Sequence, residues 1–273
     1  MKGCTGHFLP SAFSLRHPSP LTPNVQVMPV FFITADQVRN GTVTITGELL
    51  DHLRASLRVR AGERIWTGDE HRRRYFIEVT HVDRRTLQGR VIEQRTGPAP
   101  AAPCLLLGQA LLKSERMDWT IQKATELGAA VIIPLVSSHT VVRPKRTRVD
   151  SQHERWQRIA IEAAQQSERW DVPAVSVPCD VSEFFARPDP TILKLILSER
   201  GSGQSLRSIP LPSSPAHTIA LTIGPEGGWR AEELDQAGAN GFLAVTLGAR
   251  ILRAETATLA ALSILQSRLG ELG

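Results

Sequence analysis

Two glycine-containing turns in the C-terminal half of the chain have the residue types and spacing of a small-ligand site. The first, Gly224-Pro225-Glu226-Gly227-Gly228, follows an apolar run and precedes an acid-rich, helix-like segment. A strand, a glycine turn and a helix bring backbone N–H groups close to a ligand, because glycine has no side chain to hold the ligand away. The second, Leu247-Gly248, precedes Ile251-Leu252-Arg253 and a helix rich in small residues. Side by side, the turns would enclose a pocket with main-chain polar groups and apolar walls for a flat ring.

The sequence of the first turn excludes two common phosphate sites. No Lys-Ser/Thr pair follows it, so it is not a P-loop, and Pro225 and Glu226 interrupt the G-x-G-x-x-G spacing of a dinucleotide-binding turn. The Glu226 carboxylate would also repel a pyrophosphate. We therefore expect a ligand without phosphate that has a cationic or zwitterionic centre. The alternative is that both turns are purely structural, with Ile251 and Leu252 packed in the core.

The elements predicted around these turns are those of an α/β domain that extends from residue 104 to residue 273. Short apolar strands alternate with helices there, which indicates a largely parallel sheet covered on both faces. Ligands of such sheets bind beyond the carboxyl ends of the strands, where both glycine turns lie. The predicted strands are 105–112, 129–136, 191–197, 218–224 and 242–248, and the predicted helices are 116–128, 153–167 and 254–270.

Residues 29–95 predict a second, β-rich domain. Leu49, Leu53 and Leu57 recur at helical spacing, so one helix (47–58) interrupts strands with β-branched content and partial alternation. Short strands around one helix suggest a small barrel. Residues 96–103, TGPAPAAP, are a short and fairly stiff linker between the two cores. The predicted strands of this domain are 42–46, 63–67, 75–82 and 86–94.

The charge distribution points to an anionic partner for the N-terminal domain. The chain of 273 residues has a net charge of +5, and residues 29–95 contain twelve Arg and no Lys against nine Asp and Glu. The guanidinium group forms bidentate hydrogen bonds with phosphates and stacks on bases. An RNA-binding surface is therefore one interpretation, and a solvated Arg-rich surface is the other. Residues 1–28 contain many Pro and Ser and no acid. We predict that they are a disordered tail or an extension upstream of a start at Met28.

Other sequence features exclude several classes of protein. No window reaches the ~18 apolar residues of a membrane span. Cys4, Cys104 and Cys179 are scattered, which indicates neither a disulfide framework nor a zinc site and suits the reducing cytoplasm. No cluster of His, Cys or Asp has metal-ligand spacing, so no metal is expected.

Four motifs together form a specific pattern: GPEGG, then LG-x-x-ILR-x-ET-A about twenty residues later, with TIQKATELG and IIPL upstream. This pattern resembles the ribosomal RNA small subunit methyltransferase E family, in the SPOUT class of S-adenosylmethionine-dependent RNA methyltransferases. The resemblance extends over about residues 29–272. It implies a PUA-like N-terminal β-barrel, a C-terminal α/β domain with a deep trefoil knot, and a homodimer. It also implies methylation of N3 of one uridine in the 16S rRNA of the small ribosomal subunit, with S-adenosylmethionine as cofactor.

The resemblance also implies which residues hold the cofactor. They are Ser198, Gly224, Glu226, Gly227, Gly228, Leu247, Gly248, Ile251, Leu252 and Arg253. The chain departs from the family pattern at Gln165, where an acid is usual, at His139, where Arg is common, and at Arg230, where a Ser usually caps the helix. We expect the lost cap to cost about 0.5–2 kcal/mol of stability.

The implied reaction requires groups that activate an imide nitrogen. Uracil N3 is nucleophilic once its proton leaves, so the enzyme needs a base near N3 or cations beside the flanking carbonyl oxygens. We predict Arg169 and Arg253 as those cations, and Glu255 is the acid nearest in sequence to the cofactor segment. The predicted contacts to rRNA phosphates are Arg54, Arg58, Arg60, Arg72, Arg73, Arg74 and Lys113.

Two other functions fit the same sequence. One is a non-catalytic RNA-binding protein in which the glycine turns are structural. The other is a SPOUT methyltransferase that acts on tRNA or on a different rRNA position, because specificity for a folded RNA depends on its shape.

Overall fold

The computed structural model describes residues 29–113, 115–143, 146–187, 189, 191–198 and 203–273. These residues form two β-sheets with separate hydrophobic cores, one in each half of the chain. The predicted N-terminal tail, 1–28, lies outside the described residues. Within the described ranges, no helix combines the length and apolar character that crossing a membrane requires.

The N-terminal sheet consists of β1 (Val30–Phe32), β2 (Val38–Arg39), β3 (Thr42–Ile45), β4 (Arg64–Gly68), β5 (Arg73–Val82) and β6 (Leu87–Thr96). The strand order is β1-β4-β5-β6-β3-β2, and β1 with β4 is its one parallel pair among the described residues. Alternation along β3 buries Val43 and Ile45 against Leu50 and Leu53 of helix α1 (Gly47–Ala55). The strand pairs follow an open path, so closure into a barrel stays a prediction.

Helix α1 is shorter than its leucine periodicity predicts. The helix ends at Ala55, Leu57 is largely exposed, and Arg58 adopts a left-handed backbone conformation with φ of 54°. That conformation cannot continue a right-handed helix. Leu57 therefore does not belong to the apolar face of α1.

The C-terminal sheet consists of β7 (Cys104–Ala110), β8 (Val131–Val136), β9 (Ala174–Val175), β10 (Cys179–Asp180), β11 (Ile192–Leu197), β12 (Gln204–Ser205), β13 (Thr218–Ile223) and β14 (Leu243–Thr246). Its order is β10-β8-β7-β13-β11-β14-β12, and β9 pairs with β8. All of these pairs are parallel, which confirms the predicted α/β class. The carboxyl ends of β11, β13 and β14 are consequently neighbours at one edge of the sheet.

Helices cover both faces of this sheet. Alternate side chains of its strands, such as Leu107 and Leu221 on one face and Leu135 and Ile196 on the other, belong to separate core clusters. The first face is covered by α2, α3 and α6, and the second by α4 and α5. The helices are α2 (Glu115–Glu126), α3 (Val149–Gln166), α4 (Val181–Phe185), α5 (Ala231–Ala239) and α6 (Ala254–Leu269).

A polar and aromatic contact joins the two sheets through the segment after α3. The guanidinium carbon of Arg74 lies 4.0 Å from the ring centroid of Trp170, and Arg74 Nη2 donates to the carbonyl oxygen of Glu168 at 2.6 Å. Arg72 forms an ion pair with Asp171. Arg72 and Arg74 are predicted contacts to rRNA phosphates. Because their guanidinium groups contact the segment after α3, the structure gives this role no support, and it stays a prediction.

Trp170→Ala is expected to lower the free energy of unfolding by about 2 kcal/mol, because it removes the cation–π contact and part of a half-buried aromatic surface. Urea unfolding followed by circular dichroism measures the change. Trp119→Ala is the matched control, since Trp119 lies on α2 with 40% of its surface exposed. An equal effect in both variants would contradict a role for Trp170 in joining the sheets.

Candidate active site

The pocket lies beyond the carboxyl ends of β11, β13 and β14, where a parallel sheet binds its ligands. Together with the open space at its mouth it encloses about 810 Å³. Both glycine turns contribute to it, as the sequence predicts. The residues that line it are Leu197, Ser198, Ile223, Gly224, Gly227, Gly228, Trp229, Leu234, Thr246, Leu247, Gly248, Arg250, Ile251, Leu252, Ala254 and Ala257.

Three of the glycines in the lining have distinct physical reasons to be glycine. Gly248 has a φ of 117°, which side chains rarely adopt, while a Cβ there would meet no atom within 4 Å. A Cβ on Gly224 would lie 3.1 Å from the ring of Trp229, and a Cβ on Gly227 would lie 3.1 Å from Cβ of His139. The turns are therefore glycine-rich because of backbone conformation at one position and close packing at the other two.

Hydrogen bonds from distant parts of the chain fix the first glycine turn. Trp229 Nε1 donates to the carbonyl oxygen of Leu197 at 3.0 Å, which ties the turn to the end of β11. His139 Nδ1 lies 3.1 Å and 3.0 Å from the carbonyl oxygens of Gly227 and Gly228. Because carbonyls only accept hydrogen bonds, Nδ1 carries the proton. Sequence reasoning missed Trp229, although an aromatic residue directly after a glycine turn is a signal that could have found it.

Glu233 forms two hydrogen bonds at the start of α5. The buried Glu233 carboxylate accepts from the backbone N–H of Arg230 at 2.9 Å and from that of Ser138 at 2.8 Å. This one carboxylate thus accepts a hydrogen bond from the residue that precedes α5 and also anchors the loop that carries His139. A Ser at 230 would instead accept from an N–H group of the first turn of α5, so the expected cost of the lost cap stays a prediction.

Glu226 of the first turn faces away from the pocket lining. Its Oε1 lies 3.5 Å from the backbone nitrogen of Lys113 and 3.4 Å from Arg116 Nη1. Arg116 Nε in turn lies 3.9 Å from Oε1 of Glu255 at the start of α6. The predicted cofactor contact of Glu226 is not supported by this position, because the carboxylate is directed to Arg116.

The two predicted catalytic arginines lie in different places. Arg253 is exposed at the residue that precedes α6, between lining residues Leu252 and Ala254. Arg169 is only 13% exposed, and its Nη1 donates to the carbonyl oxygens of Thr125 and Ala129, each at 2.8 Å.

Arg169 is at the opposite edge of the sheet from the pocket. Ala129 precedes β8, so the bound guanidinium lies at the amino ends of the strands, and its Nη2 also pairs with Asp171 at 2.7 Å. This position gives no support to a catalytic role of Arg169 in the pocket of its own chain, and that role stays a prediction. Its contacts are those of a structural residue.

The remaining predicted RNA contacts are exposed or partly exposed. Arg54 lies in the last turn of α1, Arg58 and Arg60 follow that helix, and Arg73 begins β5. Lys113 is exposed after β7, and its backbone nitrogen lies beside Glu226 at the carboxyl edge of the C-terminal sheet.

The lining suits a ligand that combines a flat ring with polar or charged groups. Apolar side chains such as Leu247 and Leu252 stand beside glycine turns that leave main-chain groups accessible, and Arg250 is the charged residue in the described lining. No group of three or more His, Cys, Asp or Glu that could hold a metal occurs among the described residues. S-adenosylmethionine suits this lining, because it has an adenine ring, a sulfonium and an amino-acid chain but no phosphate.

Comparison with known proteins places the C-terminal domain in a class of RNA-modifying enzymes. A sequence model described as an RNA methyltransferase domain matches residues 100–266, which is more than half of the chain. Ribosomal RNA small subunit methyltransferase E of Synechocystis is 33% identical over 89% of this chain and 83% of its own length. The enzyme of the same name from Bacillus subtilis is 30% identical over 85% of this chain and 92% of its own.

A solved structure extends the likeness to three dimensions. Ribosomal RNA small subunit methyltransferase E of Neisseria gonorrhoeae, bound to S-adenosylmethionine, superposes with a TM-score of 0.78 at 33% identity. The match covers 88% of this chain and 98% of that one. The chain belongs to the ribosomal RNA small subunit methyltransferase E family, which confirms the resemblance seen in its motifs.

Proposed function

We propose that this protein transfers a methyl group from S-adenosylmethionine to N3 of a uridine in the 16S rRNA of the small ribosomal subunit. The proposal rests on the observation that two glycine turns meet in one pocket at the carboxyl edge of a parallel sheet. The names of the related proteins support the methyl transfer and the small-subunit rRNA. The N3 position rests on the motif resemblance.

The pocket residues would hold and orient the cofactor. Ser198, Gly224, Gly227, Gly228, Leu247, Gly248, Ile251 and Leu252 are the predicted contacts that line it, and Trp229 and Arg250 join them. Bound there, S-adenosylmethionine supplies an electrophilic methyl group. Because the transfer is an in-line displacement, the contribution of these residues is to fix the distance and angle of approach.

Arg253 is the cation best placed to assist the nucleophile. It is exposed between two residues of the pocket lining, so a base docked at the mouth would come close to its guanidinium. There it would stabilise the negative charge that develops on a uracil carbonyl oxygen as N3 loses its proton.

In this proposal the N-terminal sheet binds RNA and the C-terminal sheet carries the methyltransferase site. Residues 29–95 act as a PUA-like barrel that docks RNA, residues 96–103 form a linker, and residues 104–273 form a knotted SPOUT domain that works as a homodimer in the cytoplasm. The exposed arginines of the N-terminal sheet support the RNA-docking role. The two turns that follow β13 and β14 and meet in the pocket support the methyltransferase role.

The triple variant Arg54→Gln, Arg58→Gln and Arg60→Gln is expected to weaken RNA binding by about 10-fold or more. The slope of log affinity against log salt should fall by about one for each phosphate that the protein no longer neutralises. Fluorescence anisotropy with a small-subunit rRNA fragment at several salt concentrations measures both effects. The triple variant Arg39→Gln, Arg84→Gln and Arg85→Gln removes the same charge from exposed positions of the same sheet. Equal weakening in both would show that only net charge matters and contradict a defined RNA-binding surface.

Mapping the modified nucleoside tests the reaction itself. Small subunits from a strain that lacks this gene are incubated with the protein and labelled S-adenosylmethionine, and the RNA is digested for mass spectrometry. N3-methyluridine at one position of 16S rRNA is the expected product. Label on another base or on tRNA would favour a different SPOUT activity, and no incorporation would favour a non-catalytic RNA-binding protein.

A further inference from the structure

Glu255 has an unusual environment for a carboxylate beside a ligand site. It lies in the first turn of α6 between Ala254 and Ala257, which both line the pocket. Its side chain is 14% exposed, and its Oε2 is buried without a hydrogen-bond partner among the described residues. A buried acceptor without a donor costs free energy, so an incoming donor that reaches Oε2 would be bound favourably.

The neighbours of Glu255 leave that oxygen available. Thr258, one turn along α6, donates its hydroxyl to Gln109 Oε1 at 2.6 Å, so those two side chains satisfy each other. The charged groups that face the Glu255 carboxylate are Arg116 on α2, 3.9 Å from Oε1, and through it Glu226. Arg116 therefore forms a long ion pair with one oxygen of Glu255, and no donor among the described residues reaches the other.

Glu226 is less suited to receive a proton than Glu255. Its Oε1 already faces two donors, the backbone N–H of Lys113 and the guanidinium of Arg116. Arginine is not a plausible base, because it stays protonated in proteins. Among the described acids at this edge of the sheet, Glu255 is the one with a buried oxygen that lacks a donor.

We propose that Glu255, held by Arg116, accepts the N3 proton of the target uracil. The inference rests on the proposed function, since it assumes that N3 is the methylated atom. The N3–H bond breaks and its proton moves to Oε2, while the electron pair stays on N3 and forms the new bond to the methyl carbon. The carbon–sulfur bond breaks with its pair on sulfur, and Glu255 then returns the proton to solvent.

The test compares Glu255→Gln with the wild type in single-turnover reactions at saturating S-adenosylmethionine, from ~pH 6 to ~pH 10. We expect the rate of the variant to be about 10²–10⁴-fold lower at neutral pH. The deficit shrinks as pH rises, because the uracil imide then ionises in water without a base. Calorimetric affinity for S-adenosylmethionine and the midpoint of thermal unfolding stay at the wild-type values.

Three further variants separate proton transfer from a structural role. Glu255→Asp keeps the charge paired with Arg116 and is expected to restore part of the neutral-pH rate. Glu226→Gln loosens the glycine turn, so its defect is the same at every pH. Glu271→Gln is an exposed control near the C-terminus.

The proposal is overturned if Glu255→Gln keeps the wild-type rate at neutral pH, if its deficit is constant across the pH range, or if the cofactor affinity falls with the rate. The wild type is measured first. If it produces no N3-methyluridine, the proposed function fails, and that outcome is distinct from failure of Glu255 as the proton acceptor.

Discussion

Gly248→Val is expected to abolish binding of S-adenosylmethionine while the chain stays folded. Gly248 has a φ of 117° and faces open space within the pocket lining. A valine there would strain the backbone by about 1–3 kcal/mol and project its methyl groups into the cavity. We expect the affinity to fall at least about 100-fold, which corresponds to about 2.8 kcal/mol. Equilibrium dialysis with labelled S-adenosylmethionine measures the change.

Gly241→Val provides a closely matched control. Gly241 also has a positive φ, 82°, and a Cβ there would likewise meet nothing within 4 Å, but the residue follows α5 outside the pocket lining. The two variants therefore carry comparable backbone strain. Retained affinity in Gly248→Val, or an equally weakened affinity in Gly241→Val, would show that the turn at 248 does not form the cofactor site.

Arg169→Met is expected to destabilise the fold by about 2–4 kcal/mol, because it leaves the carbonyl oxygens of Thr125 and Ala129 without their donor and removes one of the two guanidinium partners of Asp171. The 13% exposed guanidinium bonds Thr125, Ala129 and Asp171, which links the end of α2, the start of β8 and the segment after α3. Guanidinium chloride unfolding followed by circular dichroism measures the change.

The prediction for Arg169 separates a structural role from a catalytic one. Arg84→Met, in the exposed turn between β5 and β6, is the control and is expected to change stability by less than about 0.5 kcal/mol. A variant of Arg169 with wild-type stability and a strongly reduced methylation rate would contradict the structural role. It would restore the catalytic assignment made from the sequence.

Local patterns in the sequence predicted much of the C-terminal fold. The predicted strand 218–224 is β13 at Thr218–Ile223, and the predicted helix 254–270 is α6 at Ala254–Leu269. Continuous apolar runs and helical spacing depend on neighbours within a few residues, so they can be read without knowing the fold. The short elements β9, β10, β12 and α4 were not predicted, since two to five residues carry too little periodicity.

The site was only partly predictable, because the missing parts depend on contacts between distant residues. Glycine turns were recognisable from composition and spacing. His139 and Gly227 are 88 residues apart in the sequence, and Arg116 and Glu226 are 110 residues apart, so no local sequence pattern predicts these contacts. The same reason accounts for Arg72 and Arg74, whose partners follow α3 and lie in the other half of the chain.

A calorimetric titration of the full chain with S-adenosylmethionine measures whether the two glycine turns form the cofactor site. We expect saturable binding with one molecule per chain, reversed by competition with S-adenosylhomocysteine. A titration without binding heat at several temperatures, for a chain that is folded by circular dichroism, would contradict it.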